Sequence, residues 1–127
     1  MSTCCSLAAG DPRIIPIGVV YPNAAHLDVP DLLADCVANG AAGLALYLGN
    51  RSVSLSSLSF RKTLAEAAKP GLPLVVSGIE SNGLITQLAE ITRDLGYPLL
   101  LTAPYYMLLG ELLAVLEEHP HVYADTS

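Results

Sequence analysis

The sequence predicts an α/β fold of parallel (β/α) repeats, with about five strands and four helices, and three observations carry that prediction. Short apolar runs recur at 14–20 ("IIPIGVV"), 42–48 ("AGLALYL"), 72–77 ("LPLVVS"), 98–103 ("PLLLTA") and 121–126 ("HVYADT"), their starts 23 to 30 residues apart. Between them lie segments whose apolar residues recur at helical spacing. The runs are apolar throughout rather than alternating, which is the texture of strands covered on both faces, as in parallel sheets.

The elements follow in order. Residues 1–12 open on "MSTCCSLAAG", with no basic stretch and too few apolar residues for a signal peptide, and are expected to be a disordered leader. The domain is expected over 13–127. Its first helix is predicted at 28–39: Asp28 can cap it and Pro30 suits its first turn. Leu32, Leu33, Cys36 and Val37 share one face, and Gly40 stops it. Helices follow at 58–68, with Leu58, Phe60, Leu64 and Ala67 as apolar positions, and at 84–95 and 108–118. Parallel strands joined by helices imply right-handed crossovers. An open doubly wound sheet and a (β/α)8 barrel both fit; no GxGxxG or GxxxxGK[ST] follows any strand, which favours the barrel. A complete barrel has eight strands in about 250 residues. This chain of 127 residues corresponds to about half, a partial TIM barrel.

Composition narrows the function classes. The chain is 52% hydrophobic and 14% charged, yet no apolar run approaches the ~20 residues a bilayer-spanning helix needs. Net charge is −6, and the basic residues are scattered apart from Arg61-Lys62, which argues against a nucleic-acid partner. Cys4, Cys5 and Cys36 form neither a disulfide framework nor a CxxC pair, so a cytoplasmic location is expected.

In parallel α/β architectures ligands lie beyond the carboxyl ends of the strands. That rule selects Tyr21 and Asn23; Tyr47, Asn50 and Arg51; Ser77 and Glu80; Thr102, Tyr105 and Tyr106; and Asp125 and Ser127. Glu80 and Asp125 could act as a general acid/base pair, with helix-terminal charge and a loop hydrogen bond as their respective structural alternatives. Arg51 could hold an anionic substrate. Tyr47, Tyr105 and Tyr106 could line a substrate pocket or simply cover the barrel mouth. His119 and His121 fall at the opposite end of the last strand, around a bend at Pro120, and are read as structural. His26 stands alone in a loop. The cysteines lack a histidine partner, so a thiol nucleophile is not expected.

Residues 13–77, from "RIIPIGVVYPN" through "SLSSLSF" to "GLPLVVS", together with the closing "LLAVLEEHPHVYADTS", resemble the central part of the amidohydrolase-related family. These are metal-dependent hydrolases and decarboxylases of the amidohydrolase superfamily. The resemblance implies a TIM barrel, a divalent metal such as zinc in family members, and a small organic acid or amide as ligand. The family's metal ligands do not carry over. Ser77 or Gly78 stands where the family brings a histidine, and Thr102 stands at the next such position. No cofactor is therefore expected in this chain. "LDVPDLLADCVANGAAGLALYLGN" and "TAPYY" also resemble the dihydrodipicolinate synthase and N-acetylneuraminate lyase barrels, whose Schiff-base lysine is not matched: Lys62 and Lys69 lie on or after a helix. Three functions follow: a segment of an amidohydrolase-like barrel without its own metal site, a half-barrel that self-associates through open strand edges as a binding or scaffold protein, and a metal-free enzyme using Glu80 and Asp125.

Overall fold

The computed structural model describes residues 2–21, 28–49, 54–102, 104 and 106–125, with the backbone alone at 2–5 and 106. Every predicted strand is present and each is shorter than its apolar run: β1 Ile17–Val19, β2 Gly43–Tyr47, β3 Leu74–Ser77, β4 Leu99–Leu101 and β5 Val122–Ala124. Prolines explain much of the shortening. Pro16, Pro73 and Pro98 stand just before β1, β3 and β4; lacking an N–H, each can only accept, and their carbonyls take the amides of Ala42, Leu44 and Leu74.

The strands form one parallel sheet in the order β1-β2-β3-β4-β5. Sequential order with crossovers of one hand places the connecting helices on one face of the sheet. These are α2 Val29–Ala38, α3 Leu58–Ala68, α4 Asn82–Leu95 and α5 Leu109–Glu118, the last entered through a 3-10 turn at Tyr106–Leu108. A further helix, α1 Ser2–Gly10, lies in the leader expected to be disordered. The Leu7-Ala8-Ala9 run favours helix and Gly10 ends it, a local preference outweighing the lack of a long amphipathic face.

The helix boundaries have local causes. The Ser57 hydroxyl accepts the Phe60 amide at 3.5 Å and starts α3. Pro30 lies in the first turn of α2, while the Asp28 side chain makes no capping bond. Gly96 takes φ 75° after α4 and donates its amide to the Thr92 carbonyl at 2.9 Å, the left-handed stop that glycine makes easiest.

Burial alternates along β1, β3 and β4 and from Leu44 onward along β2. Gly18, Leu44, Leu46, Leu74, Val76, Leu99, Leu101 and Val122 are buried against the helices. Leu33, Cys36, Phe60, Leu64, Ile85, Leu88, Leu112 and Val115 complete that core from the helix side. Cys36 is the core residue its pattern predicted. A Cβ at Gly18 would sit 2.6 Å from its sulfur, so only glycine lets α2 approach β1 this closely. Tyr97, 2% exposed, lies between β4 and α3 and donates its hydroxyl to the Leu64 carbonyl at 3.5 Å; burial pushes its phenol well above the ordinary tyrosine range.

The other face departs from expectation. The apolar runs predicted strands covered on both sides, but Ile17, Val19, Tyr47 and Tyr123 are exposed, and Ala45, Val75 and Leu100 are half-buried. The runs are apolar on this side because it is the inner wall of a barrel. Five strands curve part of the way round and leave that wall open.

Candidate functional site at the carboxyl ends of the strands

The strand register lines up the residues that follow the apolar runs. Tyr47 is paired with Ser77. The ladder continues one step beyond the strands: the Thr102 amide donates to the Val76 carbonyl at 2.9 Å and the Asp125 amide to the Leu101 carbonyl at 3.1 Å. Tyr21, Tyr47, Ser77, Thr102 and Asp125 therefore form one row across the sheet. Their parity puts them on the face away from the helices. Tyr21 and Tyr47 are 59% and 52% exposed, while Ser77, Thr102 and Asp125 are half-buried. Directly beneath runs an apolar row, Val19, Ala45, Val75, Leu100 and Tyr123, linked partner to partner by the register. A polar layer thus caps an apolar one at the end of the sheet where ligands are bound.

Two glycines shape the mouth between β2 and β3. A Cβ at Gly78, whose φ is 74°, would lie 2.8 Å from Tyr47 Cε2 and collide with the backbone of Gly49; a Cβ at Gly49 would collide with the Tyr47 hydroxyl. The Tyr47 ring lies over both residues, in space that side chains would fill. Beside it, Glu80, Ser81, Asn82, Met107 and Leu108 border a depression of about 460 Å3. Sequence reasoning did not select Ser81, Asn82, Met107 or Leu108. The available signal was the Ser-Asn pair two residues before the predicted start of the helix at 84, a helix-entry signature.

Glu80 is exposed in the β3–α4 loop, while Asp125 follows β5. β4 separates the two strands, which sets their backbones roughly 10 Å apart. Asp125 is the end member of the row and Glu80 lies beyond Ser77 in the loop after β3, so the two strands' spacing does not bring their backbones together. Asp125 is half-buried within the row. Glu80 also lies near the N-terminus of α4, its structural alternative. Arg51 and Tyr105 lie outside the described residues, as do Asn23, His26, Asn50 and Ser127. Tyr106 opens the 3-10 turn, and its side chain is likewise outside them.

The basic residues with described partners are engaged elsewhere. Arg61 donates from Nε to the Leu55 carbonyl at 2.9 Å, Lys69 pairs with Glu66 at 2.7 Å and Arg93 with Asp94 at 3.2 Å. Arg13, at the amino end of the sheet, pairs with Asp11 at 2.7 Å and lowers the Asp11 pKa. Among the described residues of the row itself there are hydroxyls, phenols and the Asp125 carboxylate and no cation.

The donor set does not suit a zinc centre. Ser77 and Thr102 offer neutral hydroxyls where imidazoles would be required, leaving Asp125 as the ionisable group in that part of the row. Among the described residues no group of three His, Cys, Asp or Glu side chains is placed to hold a metal ion.

His119 and His121 lie at the opposite end of β5. His121 Nε2 is 2.9 Å from Thr92 Oγ1 and 3.0 Å from the Ala89 carbonyl. Thr92 spends its own hydrogen on the Leu88 carbonyl at 2.7 Å, so His121 Nε2 carries the proton and donates. His119 meets His121 edge-on, ring centres 5.6 Å apart. These contacts fasten the start of β5 to α4.

No protein-family model matches the chain, and no curated protein matches it. Among solved structures the chain is similar to an uncharacterized TIM-barrel protein, Bb4693, from Bordetella bronchiseptica, with a TM-score of 0.77 at 12% sequence identity. The match covers 97% of this chain and 47% of that one, so the chain spans about half the length of its structural neighbour. The likeness shows the fold: a partial α/β barrel. Among the described residues no helix is long and apolar enough to cross a membrane.

Proposed function

We propose that the chain is a segment of an amidohydrolase-like barrel that binds a small organic amide at its rim and, lacking a metal site of its own, does not hydrolyse it alone. The observation that carries this reading is the polar row Tyr21, Tyr47, Ser77, Thr102 and Asp125, set over an apolar row at the carboxyl ends of the strands. The chemistry favours an amide over an organic acid. An amide N–H can donate to Asp125 or Glu80 and its carbonyl can accept from Ser77 or Thr102. A carboxylate ligand would meet two like charges with no cation in the described row to offset them. The family resemblance at 13–77 and 112–127 supplies the ligand class, and a cytoplasmic location belongs to the same reading.

Calorimetric titration with small primary and secondary amides and their matched carboxylates tests this. Amides are expected to bind at least about tenfold more tightly than the corresponding acids, and Asp125→Ala is expected to abolish the difference. Absence of amide binding throughout the panel would overturn the proposal.

A further inference from the structure

We infer that the polar row is divided along its length, and that its ligand is a small arylalkyl amide whose ring stacks on Tyr47 and whose amide spans Ser77 and Thr102. The amide half of this assignment rests on the function proposed above; the ring half does not.

The order of residues along the row supplies the division. Val19 is paired with Ala45 and Tyr47 with Ser77, so Tyr21 and Tyr47 stand at one end, and Ser77, Thr102 and Asp125 follow. Each neighbour is set by a ladder within the sheet, so this order does not depend on what chain lies beyond β1 and β5. An aromatic end therefore meets a hydrogen-bonding end between Tyr47 and Ser77, on adjacent strands about 4.8 Å apart. A ring joined to an amide through one methylene spans about that step.

Tyr47 is suited to hold the ring. Its phenol lies against the backbones of Gly49 and Gly78, and a Cβ at Gly78 would come within 2.8 Å of its Cε2. A ring backed in this way has little rotamer freedom left to lose when a second ring stacks on its other face. Directly beneath it is Ala45, the smallest side chain of the apolar row, where Val19, Val75, Leu100 and Tyr123 are its neighbours. At the polar end, Thr102 Oγ1 donates its hydrogen to the Val76 carbonyl at 3.3 Å, which leaves its oxygen to accept. Ser77 then donates to the ligand carbonyl, and Thr102 accepts the amide N–H. Ring, carbonyl and N–H thus follow along the ligand in the order that Tyr47, Ser77 and Thr102 follow along the row.

Calorimetric titration of the full chain with phenylacetamide, cyclohexylacetamide and the methyl ketone analogue of each tests the assignment. The saturated ring matches the phenyl ring in size but has no π face. Phenylacetamide is expected to bind at least about threefold more tightly than cyclohexylacetamide, with a tyrosine ultraviolet difference band on binding. That preference is expected to persist in Tyr47→Phe and to vanish in Tyr47→Leu, each checked for folding by circular dichroism. Ser77→Ala is expected to weaken both amides by the same factor. Amides that bind with no phenyl preference, or a preference that survives Tyr47→Leu, would overturn the ring assignment and leave the proposed function standing. A phenyl preference carried as strongly by the ketone as by the amide would support the place of the ring and overturn the amide. Absence of binding by all four compounds would overturn both.

Discussion

Leu100 and Leu101 are adjacent in β4 and chemically identical, yet the fold assigns them opposite surroundings. Leu101 is 1% exposed beneath the helices, and Leu100 is half-buried on the open face between Val75 and Tyr123. Truncating a fully buried leucine removes its transfer free energy and leaves a cavity, typically 2–5 kcal/mol. Leu101→Ala is therefore expected to cost about 3 kcal/mol, a large share of the ~5–15 kcal/mol that holds a domain folded. With a urea slope of about 2 kcal/mol/M, the midpoint should fall by about 1.5 M at unchanged slope. Leu100→Ala removes a side chain packed on one side only, and about 1 kcal/mol is expected in dilute solution. The assay is urea unfolding of both variants at low micromolar protein, followed by circular dichroism. Equal costs at both positions in dilute solution, or a larger cost at Leu100, would refute the one-sided core.

Four further outcomes are expected. Gly78→Ala forces a side chain into a left-handed backbone against Gly49 and Tyr47 and should destabilise by about 1–3 kcal/mol in urea unfolding, while Gly83→Ala, in open space on α4, should be neutral or mildly stabilising. Tyr97 has a raised pKa through burial. Its stabilising effect is complete below the unfolded-state pKa near 10 and is lost as pH rises toward the folded value. The expected slope is up to about 1.4 kcal/mol per pH unit, absent in Tyr97→Phe when alkaline unfolding curves are compared. His121→Ala removes the donor shared by Thr92 Oγ1 and the Ala89 carbonyl and should cost about 1 kcal/mol. Thr86→Val, which breaks the Thr86–Glu111 hydrogen bond between α4 and α5, should cost no more than about 1 kcal/mol in the same measurement.

Different parts of this molecule were legible to different degrees, for physical reasons. α3 occupies the predicted 58–68 because a serine cap and a periodic apolar face act on the same residues. β1 was read as 14–20 and spans Ile17–Val19, because apolarity does not reveal where ladder bonds begin; Pro16 and the position of β2 decide that. α4 begins two residues earlier than its first apolar position, since helix entry follows backbone geometry at Ser81 rather than hydrophobicity. The residues of the polar row were readable one by one as the first polar positions after each run. Their common level was not, because register is a property of pairs of strands. Tyr47 over Gly49 and Gly78 was likewise hidden, since those glycines mean something only once β2 and β3 are side by side.

The sequential strand order also governs how this chain folds. Paired residues on neighbouring strands lie 23 to 30 positions apart along the chain, and among the described residues no ladder joins more distant segments. Loop closure costs the same modest entropy at each step, so the sheet can nucleate at any βα pair and grow outward in either direction, as stacked-repeat proteins do. Folding speed should then depend on the best single pair of units and only weakly on how many units the polypeptide carries. Removing or adding a unit at one margin changes one ladder and leaves the others paired. A barrel wall built in this way can lengthen by duplication without passing through a misfolded ancestor.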